Sequence, residues 1–347
     1  MAESYVFPVH SLLDPVVGEP DDVQGWLDEM RIDLASRGED GAMLTLSRLQ
    51  AMHDFFEEPS QDLASIAERI DAWVHVDDSY TQPDYMFWQA IADAAKKLTN
   101  HHDRLLDLIV AIHRLAPEGT KESLSFNEVF GQFQGWRSTG TQESVKKFLA
   151  TAYVAELFMA KLALRGLTAS EDEPEAVKNL SSWLERGASA IRAELENTAW
   201  DPESTTFAYA DGDVETLEIP SEYQVEPKEG DQQEAEEVEE EEELVEAYKS
   251  VHALNYAILF VEPWLKMCGG ELYDACKAGG TFPCDVPDQH APTNFGIGKG
   301  YCLERWDFWR SRLEEISVAG ELDVATRQVA KDCLETMTKI EREKQRG

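Results

Sequence analysis

Four side chains able to ligate a metal or support thiol chemistry, Cys284, Asp288, His290 and Cys302, lie in or beside a glycine- and proline-rich run at residues 278–300. Zinc sites legible from sequence repeat close Cys or His pairs, and none of these spacings does so. A cysteine nucleophile with His290 as its base is the other chemistry on offer, but spacing alone supplies no geometry for it. Buried or half-buried loop residues account for all four. The glycines of "FGIGKG" (295–300) look like half a phosphate loop, with Lys299 where a phosphate ligand would stand. Phosphate loops need a preceding strand and backbone N–H groups aimed by a following helix. Here the helix follows and no strand precedes, so a tight turn into that helix is the better reading. His101 and His102 are adjacent, with His113 further on, whereas metal-binding helices space their histidines by three or four residues. They read as polar residues at a helix start. No catalytic residue, metal ligand or cofactor is nominated.

The strongest candidate face follows the glycine run, in "YCLERWDFWRSRLEEI" (301–316). Trp306, Trp309, Leu313 and Ile316 recur at helical spacing and form one stripe, as a core-facing surface should. Phe308 falls on the other side with Arg305 and Arg312, where a guanidinium beside an aromatic ring suits an acidic group. Lys299, Arg305, Phe308 and Arg312 are therefore the candidate ligand or partner face. Long loops inside compact domains are commonly functional, and the 278–300 loop feeds directly into this helix.

The elements that must position this face read as helices throughout. Apolar residues recur at three and four through Trp26, Met30 and Leu34, then Met43, Leu46, Leu49 and Phe56 before Pro59. Ser60 caps a run through Leu63, Ile66 and Ile70, and Pro83 opens the next. Leu105 to Leu115 forms a strongly apolar helix, stopped by Pro117. Residues 120–140 are aromatic and aperiodic, which predicts an irregular connector packing Phe126, Phe130 and Trp136. A long helix runs from Thr141 to Gly166, whose glycine suits a left-handed C-terminal position. Ser170 and Glu173 make a capping-box signature. Further on, Pro263 is expected to kink or end a helix and Gly269-Gly270 to stop it, with a short helix over 271–277. A final helix runs from about Asp323 to Arg346.

The 347 residues carry a formal charge of −37. Residues 201–247 alone hold nineteen acids and one base, Lys228, for a net of −18. Basic residues elsewhere are dispersed, the wrong footprint for nucleic acid or an anionic membrane surface. No apolar run approaches a membrane span. The N-terminus lacks the pattern of a secretory signal, and five cysteines confined to the last eighty residues do not suggest a disulfide framework. An intracellular setting is expected, the cytoplasm with the nucleus as a second compartment.

The stretch "GKGYCLERWDFWRSRLEEI" (298–316), followed by a helix ending "AKDCLETMTKIE", resembles the C-terminal signature of an uncharacterised all-helical family of filamentous fungi, a domain of unknown function. The residues carrying the resemblance are Gly300, Arg305, Trp306, Trp309, Arg312 and Leu313. Weaker similarity covers 151–167 and 260–276. The resemblance implies an intracellular all-helical fold and a fungal source, and it transfers no activity and no functional residue.

The expectation is an all-α, irregular multi-helix bundle of about ten helices with a disordered acidic insertion. An N-terminal extension spans 1–20, helical parts span 21–200 and 239–347, and the insertion spans 201–238. Abundant helices without a catalytic pattern point to a non-enzymatic protein-interaction or scaffold role with an unidentified protein partner. The alternative is small-molecule binding or accessory enzyme chemistry in a pocket under loop 278–300.

Overall fold

The computed structural model describes residues 22–37, 42–58, 62–70, 82–116, 124–131, 142–196, 258–279, 300–320, 322 and 324–346. The acidic insertion, Lys299, Cys284, Asp288 and His290 lie outside the described residues, as do Ser60 and Trp136. Among the described residues the regular structure is entirely helical, arranged as irregular multi-helix packing, and no strand occurs. In chain order the helices are α1 (Val23–Arg37), α2 (Ala42–Glu57), α3 (Leu63–Ile70), α4 (Gln82–Lys97), α5 (His102–Arg114), α6 (Leu124–Gly131), α7 (Gln142–Leu167), α8 (Glu175–Lys178), α9 (Trp183–Leu195), α10 (258–278), α11 (Leu303–Val318) and α12 (Val324–Arg346). They fall into two compact units: one holds Val17–Arg137 and Val154–Trp183, the other Ser138–Tyr153 and Leu184–Gly347 together with the N-terminal residues.

In the first unit, Asp22 accepts the backbone N–H of Gly25 at 2.8 Å, capping α1. Asp62 caps α3 by accepting the N–H of Ser65 at 3.2 Å. The core is aromatic. The Phe126 ring meets Trp88 and His113 edge-on, each at 4.9 Å between centroids, and lies 4.5 Å from Phe130. Residues 124–131 are thus a helix and not an irregular connector: Phe126, Val129 and Phe130 are buried together, as one face of a helix allows. His102 and His113 are also interior. One His102 ring nitrogen lies 2.7 Å from the Ala95 carbonyl, and His113 Nδ1 lies 2.8 Å from the Ile109 carbonyl. Burial pushes the His113 imidazole down to about 4, so it packs neutral.

Three glycines act by absence of bulk. Gly166 lies inside α7, and a β-carbon there would come 2.2 Å from the Ser181 backbone nitrogen. Its role is close approach of helix to turn, in place of the left-handed terminus its position suggested. In the second unit a β-carbon at Gly187 would come 2.2 Å from the buried Trp264 ring. Helix α10 runs unbroken through Pro263 and Gly269-Gly270. The pair does not stop it, because Gly269 faces α12, where a β-carbon would come 2.7 Å from Ile340. Helices α11 and α12 pack against each other. The indole N–H of Trp306 donates to Glu341 at 2.8 Å, and Arg310 reaches the same carboxylate at 3.3 Å.

Candidate functional site

Helix α11 carries the residues nominated by the sequence, and the structure divides them. Trp306, Trp309, Leu313 and Ile316 are all buried, as their spacing predicts. Arg305 is buried as well, with its side chain 2% exposed. Its Nε lies 2.8 Å from Glu196 Oε1, and an Nη1 N–H donates to the Gly300 carbonyl. Glu196 sits just past the end of α9, where its N–H bonds to the Arg192 carbonyl at 2.8 Å. That places its carboxylate inside the unit, 1% exposed, with the Trp309 indole N–H donating to Oε1 at 2.7 Å and Arg192 Nε 3.6 Å from Oε2. One carboxylate is thus held by two guanidinium groups and an indole, the pairing that a buried charge requires. Arg312 is mostly covered and pairs with Glu315 at 2.8 Å, and Phe308 is half-buried. The structure brings Arg305 into the interior network and leaves Arg312 and Phe308 at its margin.

Around this network stand further polar groups. Burial raises the Tyr301 phenol, with the Glu185 carboxylate adding to the shift. Burial pushes the Cys276 thiol up to about 12, while the Arg305 guanidinium opposes it. In the same unit, Glu262 is buried, pairs with Lys266 and takes a hydrogen bond from the Tyr153 hydroxyl. Burial likewise pushes the Cys268 thiol up to about 12 and raises that of Cys333. Such thiols are poor nucleophiles at neutral pH because the thiolate is scarce. Among the described residues no group of three or more His, Cys, Asp or Glu is placed to hold a metal. No helix among them is long and apolar enough to cross a membrane.

A concave feature occurs in the other unit, where the sequence signalled nothing. A half-open cleft of about 350 Å³ lies among α3, α5, the end of α7 and the following turn. Arg114 grips Glu173 through both Nε and Nη2, at 3.0 and 2.6 Å. Arg165 meets Asp107 at 2.9 Å, and Thr168 and Ser170 add hydroxyls to the lining. The Arg114 guanidinium holds the Glu173 carboxyl below its ordinary value. The Ser170 and Glu173 capping box does not form, because the helix begins only at Glu175. Glu173 is bound by a charge-assisted pair, and α8 starts after Pro174 with no side-chain cap. Sequence spacing had no means of finding the cleft, since Arg114 and Glu173 lie 59 residues apart.

Fold and site together define an all-helical protein organised around interior ion pairs. The chain belongs to the family described as "Protein of unknown function (DUF3632)", whose model matches residues 88–313, from the Trp88 core to Leu313 of α11. No curated protein and no solved structure matches it.

Proposed function

We propose that this chain is a non-enzymatic interaction protein of the cytoplasm or nucleus that binds a protein partner. One observation carries the reading. The described side chains that the sequence nominated for chemistry or recognition are largely engaged in holding the fold: Arg305 on Glu196, His102 and His113 in the aromatic core. Large apolar residues exposed among the described residues are Ile32, Leu115, Leu303, Val318 and Val324, spread over several helices. A chain of charge −37 with such a surface favours a basic partner recognised through charge, an association that salt weakens. The test is recovery of the protein from its native source at near-physiological salt and at several-fold higher salt, with complex mass read by light scattering. A stoichiometric protein partner that leaves at high salt supports the proposal. A monomer under both conditions sinks it.

Small-molecule binding is the second reading, and the Arg114–Arg165 cleft favours it. Its volume falls at the lower end for ligand pockets, and a small carboxylate or phosphate would take the place of Asp107 on Arg165 or of Glu173 on Arg114, beside two hydroxyls. The pocket expected beneath 278–300 falls largely outside the described residues. Thermal shifts across a panel of small phosphates and carboxylates decide the matter. A shift lost in Arg165→Ala supports this reading, and a flat panel removes it.

A further inference from the structure

The second unit holds a pair of cysteines that neither reading above uses. Cys276 lies near the end of α10, and Cys302 is the residue immediately before α11. Two separate contacts bring them together. The rings of Tyr273 and Trp306 meet edge-on at 5.2 Å. One helical turn onward from Tyr273 is Cys276, and one turn back from Trp306 is Cys302. At that point the Cys302 backbone N–H donates to the Cys276 sulfur. The segment bearing Cys302 is anchored on both sides, by Arg305 on the Gly300 carbonyl before it and by the buried Trp306 after it. With the Cys276 sulfur on the Cys302 backbone N–H, rotation of the side chains about their Cα–Cβ bonds swings the two sulfurs towards each other, the bond itself requiring β-carbons ~3.8 Å apart.

We propose that Cys276 and Cys302 are a reversible oxidation site, forming a disulfide that ties the end of α10 to the start of α11 when the cell presents a peroxide. Both are free thiols in this structure. Cys302 is half-exposed and meets the oxidant, whereas Cys276 is buried and resolves, and the scarcity of its thiolate at neutral pH makes the resolving step the slow one. The Cys302 thiolate attacks one peroxide oxygen, the O–O bond breaks, and a sulfenic acid and hydroxide result, the hydroxide becoming water with the proton the Cys302 thiol gave up. The Cys276 sulfur then displaces hydroxide from the Cys302 sulfur: the S–O bond breaks, the S–S bond forms, and the Cys276 proton leaves with the hydroxide as water. Two thiols and one hydrogen peroxide thus become one disulfide and two waters. The bond closes the chain between residues 276 and 302, and such a closure raises stability by restricting the unfolded chain.

The experiment uses the full chain treated with hydrogen peroxide, alkylated, and digested without reduction after Lys, Arg and Glu. Cleavage at Glu271 separates Cys268 from Cys276, and cleavage at Lys277 and Lys299 separates Cys276 from Cys302. Two of the five thiols are expected to disappear, with one cross-linked peptide joining Cys276 to Cys302, a higher Tm, and full reversal by dithiothreitol. Cys302→Ser should retain all its remaining thiols, with Cys302→Ala as the second variant if the serine disturbs folding. Five thiols surviving in the wild type overturns the proposal. So does a cross-link through Cys268, Cys284 or Cys333, or a Cys302 oxyacid that accumulates without a bridge.

Discussion

Each unit contains an Arg–Glu pair drawn from elements distant in sequence, and the two pairs differ in what surrounds them. Arg305 and Glu196 are 2% and 1% exposed and share their carboxylate with Trp309 and Arg192. Arg114 and Glu173 have better bidentate geometry, yet the arginine side chain is 49% exposed. The first pair was taken wholly out of water and survives only because every charge found a partner. The second stayed at the surface, its arginine half in water and its glutamate 19% exposed. Similar groups at similar distances therefore have different consequences: the interior pair dictates which arrangement of α9 and α11 is tolerable, and the cleft pair adjusts a surface.

The sharpest way to break this contrast is Glu196→Ala, which strands the Arg305 charge in the interior. A loss of about 3–5 kcal/mol is expected from urea unfolding. Replacing both partners, Glu196→Leu with Arg305→Met, should cost less than the single change, since Arg305 is then no longer stranded and Arg192, at 21% exposure, still reaches water, while the Trp309 indole N–H loses its acceptor in both variants. A double variant as damaged as the single one would show that packing, and not charge pairing, is what the network supplies.

The interior of the other unit offers a titration. His113 has an ordinary value of 6.5 in the unfolded chain and about 4 when buried. As pH falls below 6.5 the unfolded chain takes a proton that the native core refuses. The stabilisation is therefore complete above 6.5 and lost between 6.5 and about 4, on the order of 3 kcal/mol. Comparing urea midpoints from pH 7 to 4 for the wild type and His113→Phe checks this, the variant lacking that slope. Burial raises the Glu185 carboxyl and so gives a slope of opposite sign above 4.5, which is common to both proteins and cancels in the comparison. Arg69 beside Asp54 and Arg114 beside Glu173 lower those groups from 3.8 and 4.5, so their contributions fade only at lower pH.

A steric comparison ranks next. Gly166→Ala drives a β-carbon into the backbone at Ser181 and should cost about 1–3 kcal/mol. Gly270→Ala meets only the flexible end of Lys344 at 3.7 Å and should stabilise by about 0.5–1 kcal/mol through helix propensity. Thermal melts that gave both substitutions the same sign would refute the close-approach account. The smallest effect belongs to the cleft: Arg114→Ala is expected to cost under about 1 kcal/mol, shrinking further as salt rises.

The helices were legible because burial on one face imposes a local period, and Trp306, Trp309, Leu313 and Ile316 obey it within a single stretch of chain. The same logic missed α6, where the aromatic residues and glycines crowded into 120–140 hid the spacing of Phe126, Val129 and Phe130, although α3 is equally short. It also read Gly166 and Gly269-Gly270 as terminators, since a glycine required for close approach looks identical in sequence to one required for a turn.

Taken alone, then, the sequence determined the all-helical class, the core stripe of α11 and the strong negative charge, because each follows from residue type and near-neighbour spacing. Only the tertiary structure decided that Arg305 faces inward. Its partner is 109 positions away and its helical position is compatible with either environment. An arginine is drawn into an interior by the carboxylate waiting there, and that carboxylate is placed by the end of another helix.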